Sequence, residues 1–211
     1  MEQSKRKGTE GAEEGPLSTE QAAKLIIDSK HKDDPRVDPN YRPPLEETTT
    51  PEIRSRLGAQ VFRDKDFGET YLIKANTVYH LGRAVGGGVN SMLVEDIDGD
   101  GQPELWYTFS WGSGMHYSQL GSFGISASKV DELERAVFFT LSDDASLRRN
   151  EQGKPEIWVH QFLNRDGDTM HCLGRMTYDK DREKVTLLLD EHLPDEIRNL
   201  SNPATKTNHI K

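Results

Sequence analysis

One cysteine, Cys172, stands among 211 residues, so the chain holds no intrachain disulfide and no thiolate-rich zinc site. No apolar run reaches the length of a membrane-spanning helix, and no signal-peptide core is visible. An integral membrane span is therefore not expected. Clustered basic residues are equally scarce: the longest run is Lys5-Arg6-Lys7, and the net charge is −9. A surface that acidic argues against nucleic acid and against an anionic membrane, both of which need a basic patch. His80, His160 and His171 sit in strand-like segments without a His-x-His or His-x-x-x-His pair, so histidine does not build a zinc site either. Apolar residues are also few, at 33% against 30% charged. Residues 1–52 hold little of that share, so the core has to come from about residue 53 onward.

What the chain does contain is concentrated in one place. Val94-Glu-Asp-Ile-Asp-Gly-Asp-Gly-Gln-Pro-Glu104 puts four carboxylates, from Asp96 to Glu104, into nine residues. With Asp96 as the first position, Asp98 and Asp100 are third and fifth, Gln102 seventh and Glu104 ninth. Alternate acids in a tight loop aim their oxygens at one centre, and a hard divalent cation wants oxygen ligands; calcium takes six to eight. The seventh position offers a main-chain carbonyl, so its side chain is free to vary. Gly99 and Gly101 permit the sharp turns. Without a counter-ion the crowding would cost several kcal/mol or raise some of the carboxyl pKa values. The expected ligand set is Asp96, Asp98, Asp100, Gln102 and Glu104, with calcium as the ion. An EF-hand is excluded, because the twelfth position is Tyr107 and cannot supply the bidentate carboxylate.

The loop resembles the Asp-x-Asp-x-Asp-Gly-x-x-Glu/Asp calcium loops of FG-GAP and VCBS-type repeats, in which the ninth-position acid closes the site. The likeness covers this loop and its flanking strands. Those families carry several copies and this chain carries one, which speaks against a propeller. Across residues 50–126 the chain is also similar to an uncharacterised group of bacterial proteins. The matching residues are Gly86–Gly88, Asp96–Leu105, Phe109–Gly114, His116 and Ser118, with Phe109 where that group has Tyr. This likeness implies a site and adds no reaction.

The rest of the chain supplies the frame. Ser18 with Gln21 reads as a capping box opening a helix over 17–29. Residues 1–16 and 30–48, polar and in the second case proline-rich, read as disordered arm and linker. Thr50-Pro51-Glu52 opens a second short helix to about Ala59. Beyond it the pattern turns to period two. Strands are expected at 60–64, 70–75, 77–82, 90–95, 104–110, 119–126, 136–142, 156–163, 169–178 and 184–190, with Leu105, Tyr107 and Phe109 on one face and Trp106 and Thr108 on the other. Strands without intervening helices mean an all-β, antiparallel domain, a sandwich or strongly bent meander. The expected division is a polar arm at 1–52, a β domain at 53–192, and a short helix with a polar tail at 193–211.

These observations point to a non-catalytic calcium-binding β domain with an unknown protein or glycan partner. The ion is expected to clip Asp96–Glu104 and shape the Gly112–His116 turn beside it. Two other classes compete. A serine hydrolase would use Ser113 with His116, although Trp111 stands where a nucleophile elbow needs glycine. A carbohydrate-binding module would stack sugars on Trp106, Trp111 or Trp158 if two of them proved exposed and co-facing. A single loop of this kind binds calcium weakly, on the order of 10⁻⁴–10⁻³ M, and so fills outside the cytosol. An extracytoplasmic protein, periplasmic or at the cell surface, is expected, its polar arm acting as a spacer.

Overall fold

The computed structural model describes residues 15–82, 88–111, 117–124, 137–138, 143–161, 169–179 and 184–194. The all-β antiparallel expectation holds. The strands among these residues form three four-stranded antiparallel sheets, each local in sequence, and none closes into a barrel. The first sheet runs β1 (Leu45–Glu47), β2 (Gln60–Asp64), β3 (Thr70–Lys74) and β4 (Thr77–Leu81) in that order. The second runs β5 (Gly88–Glu95), β6 (Glu104–Trp111), β7 (Tyr117–Phe123) and β8 (Val137–Phe138). The third comprises β9 (Asp143–Arg149), β10 (Pro155–Gln161), β11 (Thr169–Asp179) and β12 (Lys184–Leu189), with β12 and β9 at its edges.

Side-chain alternation stacks these sheets. Val61, Leu72 and Leu81 of the first sheet meet Val94, Leu105, Tyr107, Phe109 and Phe123 of the second in one buried cluster. The opposite face of the second sheet gives Leu93, Trp106 and Leu120 to a cluster with Ala145, Leu147, Ile157, Val159 and Leu173 of the third. The middle sheet is thus buried on both sides, and β6 divides its residues between the two cores as the period-two reading expected. In β5 the register slips between Val89 and Ser91, so Asn90 bulges out. That extra residue puts Val89 and Val94 in the same core despite their odd spacing.

The N-terminal region is more structured than its polarity suggested. The helix α1 (Thr19–Asp33) has the expected capping box at Ser18 and Gln21 and runs four residues past the expected end. Ala22, Ala23 and Ile26 pack against Phe62, Tyr71 and Ile73 on the outer face of the first sheet. Two hydrogen-bonded contacts anchor the helix. The buried amide of Gln60 accepts from the Leu17 N–H at 2.7 Å and donates to its carbonyl at 3.2 Å, and Lys30 pairs with Glu69 at 2.5 Å. The expected linker at 30–48 contributes β1, whose Leu45–Glu47 pair with Asp64–Phe62. The second helix is a single wide turn, Ile53–Leu57, capped as expected by Thr50, whose hydroxyl accepts from the Ile53 N–H at 3.2 Å. Of the short helix expected within 193–211, all but Leu193 and Pro194 lie outside the described residues.

Strand β9 was not anticipated. Asp-Asp-Ala-Ser-Leu-Arg-Arg carries only two apolar residues, yet Ala145 and Leu147 are buried in the core between the second and third sheets. Its peptide groups find partners the chain order does not reveal. The Ala145 N–H donates to the Ser118 hydroxyl at 3.1 Å and the Leu147 N–H to the Ser91 hydroxyl at 2.7 Å. Side chains of the middle sheet thereby satisfy the edge of the third.

Candidate metal centre

The acidic loop closes the β5–β6 hairpin. Those strands pair from Gly88↔Ser110 to Glu95↔Glu104, so residues 96–103 must turn the chain between two facing acids. The aspartates fold that turn themselves. Asp96 accepts the Gly99 N–H on Oδ1 at 2.8 Å and the Gly101 N–H on Oδ2 at 3.0 Å. Asp98 takes the Asp100 N–H at 3.0 Å, and Asp100 takes the Gln102 N–H at 2.7 Å. The last two are Asx turns, in which the side chain bonds the N–H two residues on, while Asp96 reaches three and five residues ahead. Gly99 and Gly101 sit at φ 77° and 88°, in the left-handed region that strains an L side chain.

Four of the five expected ligands, Asp96, Asp98, Asp100 and Glu104, come together, with carboxylate oxygens within 4.8 Å of one another. The fifth, Gln102, has an exposed side chain. Glu104 is held from outside the turn as well: its Oε2 accepts from the Ile97 N–H at 3.2 Å and from the Trp106 indole N–H at 3.3 Å. The same indole reaches the Glu95 carbonyl at 3.3 Å, tying both ends of the hairpin to one ring.

Charge is unevenly served around this loop. Among the described residues none of the four acids forms an ion pair. Glu95 and Glu52 take the nearby cations instead: Arg149 pairs with Glu95 at 2.5 Å and with Glu52 at 2.9 Å, and Arg56 with Glu52 at 2.9 Å. Burial pushes the Glu104 carboxyl up to about 7, with the charges of Asp98 and Asp96 adding to the rise, against the bonds from Ile97 and Trp106 that favour its ionised form. A cation at the centre of the cluster would reverse that balance. The donor set fits a hard, oxygen-seeking ion: four carboxylates, without nitrogen or sulfur.

The Gly112–His116 turn that the ion was expected to shape lies outside the described residues; within them, β6 runs eight residues from Glu104 at the loop to Trp111, roughly 24 Å. Ser113 and His116 themselves lie outside the described residues, as does the side chain of Trp111. Trp106, at 3% exposed, is a core residue and offers no face to a sugar. Trp158 is half-buried with the Arg148 guanidinium 5.5 Å over its ring. An exposed, co-facing tryptophan pair is not present among the described residues. No family model matches the chain, and neither a curated protein nor a solved structure does.

Sequence reasoning missed the supports of the site: Trp106 as donor to Glu104, and the Arg149–Glu52–Arg56 group that neutralises the neighbouring Glu95. The first had a signal. Trp106 stands two residues after Glu104 on a strand, hence on the same face. Arg149 had none, because it is 54 residues from Glu95 in the chain.

Proposed function

We propose that the chain is a non-catalytic β domain that binds calcium through Asp96, Asp98, Asp100, Glu104 and the main-chain carbonyl of Gln102. One observation carries the reading: four carboxylates converge within 4.8 Å, on a loop they fold themselves, without a pairing cation among the described residues. Calcium is favoured over magnesium because an irregular set of loop oxygens suits six to eight flexible ligands better than a strict octahedron. The likeness to FG-GAP and VCBS-type loops agrees in spacing and in the ninth-position acid. The ion staples the hairpin that feeds β6, the strand shared by both cores of the middle sheet. Affinity on the order of 10⁻⁴–10⁻³ M places its work outside the cytosol.

Calorimetric calcium titration with a thermal melt, on wild type and Asp98→Ala, tests this. At calcium about 100-fold above Kd the fold gains about 2.7 kcal/mol, a rise of roughly 5–10 °C for a chain of this size. Asp98→Ala removes the shift, and magnesium gives a smaller one. Absence of heat and of a melting shift in wild type at about 10 mM calcium reduces the loop to a turn and ends the reading.

A further inference from the structure

An edge strand is a row of unpaired peptide groups, and proteins guard such rows against other chains. Most edges here are guarded. Strand β1 is three residues long and follows Pro43-Pro44. Helix α1 packs beside β4. Strand β5 is bulged at Asn90, and its Val94 carbonyl accepts guanidinium N–H groups from Arg56 and Arg149, each at 2.7 Å. Strand β9 donates to two serine hydroxyls. Strand β12 is different. It runs Lys-Val-Thr-Leu-Leu-Leu, no strand lies beyond it among the described residues, and Leu188 on it is 55% exposed.

We propose that β12 is a self-association edge: two copies pair β12 antiparallel about a two-fold axis at Leu187, joining their third sheets into one continuous sheet. The register follows from which peptides face outward. The Asp190 N–H donates back to the Leu173 carbonyl at 3.1 Å. By the antiparallel alternation, Leu188 and Thr186 also face β11, while Val185, Leu187 and Leu189 face away. Setting Leu187 opposite Leu187, and Val185 opposite Leu189, uses every outward residue of both copies. The same register sets Lys184 opposite the second copy's Asp190, twice in each dimer, and lays the exposed Leu188 beside the second copy's Thr186. Sliding by two residues loses hydrogen-bonded pairs and the charge match together. The arrangement is isologous and closes at two, so it ends in a dimer and not a fibre.

Sedimentation equilibrium of the full chain between about 10 μM and about 1 mM tests the edge, since pairing of this size is expected in the micromolar range. Wild type is expected to move from monomer to dimer across that interval. Lys184→Glu places like charges at both register contacts and weakens the dimer about tenfold, an effect that fades with added salt. Val185→Pro removes an outward N–H and leaves the ladder to β11 intact, so it melts near wild type and stays monomeric. A wild type that stays monomeric throughout overturns the proposal. So does a Lys184→Glu variant that dimerises as tightly as wild type, and this arm stands even if Val185→Pro fails to fold.

Discussion

Replacing Glu104 with Gln isolates the electrostatic strain of the metal loop in its ion-free form. The ordinary value for this carboxyl is 4.5, and in the fold it rises to about 7. A gap of that size corresponds to about 3 kcal/mol between the two protonation states. The carboxyl is partly exposed, so solvent screening brings the figure down to about 1–2 kcal/mol. The sign follows from linkage. A group whose folded pKa is raised contributes stability that is fully present below the unfolded value, near 4.5, and is lost as pH rises through about 7. Ion-free wild type is therefore expected to lose stability between those two values. Glutamine keeps the shape and an oxygen for the Ile97 and Trp106 N–H groups, and it carries no charge to bury. At pH 8 with chelator, Glu104→Gln is expected to melt a few degrees above wild type, at roughly 2–4 °C per kcal/mol. Near pH 4.5 the two should coincide. Saturating calcium should reverse the order, because only wild type keeps the ninth-position ligand. The assay is a pH series of thermal melts with and without chelator. A Glu104→Gln variant that melts below wild type at pH 8 in chelator refutes the argument, since the charge would then be stabilising without an ion.

Three further outcomes test the frame that holds the site. Gly121→Ala would put a Cβ 2.4 Å from the buried Tyr107 ring, so it should cost about 2–3 kcal/mol in a denaturant titration. Ala75 sits at φ 48° in the β3–β4 turn, a position that suits Asn or Gly, so Ala75→Asn should stabilise by about 0.5–1 kcal/mol in the same assay. Ile26, 1% exposed on α1, should cost about 2–4 kcal/mol when cut to Ala, whereas a helix that merely hangs on a linker would show no change.

Where chemistry is local, the chain order alone was enough. The acidic loop needs only neighbours: its side-chain-to-backbone bonds span two to five residues, and its glycines stand where the backbone turns left-handed. The capping box at Ser18 and the two faces of β6 are likewise set by spacings of three and two along one element. Tertiary structure decided everything that depends on distant partners. Asp143–Arg149 pairs with β10 along its whole length, and its other edge is satisfied by Ser91 and Ser118, far off in sequence, of which seven largely polar residues carry no sign. The polar arm docks because Gln60 clamps the Leu17 backbone and the first sheet offers Phe62 and Tyr71 to three small or branched side chains. The Glu104 carboxyl is lifted first by burial, which depends on how the sheets stack, and only then by its neighbours Asp98 and Asp96.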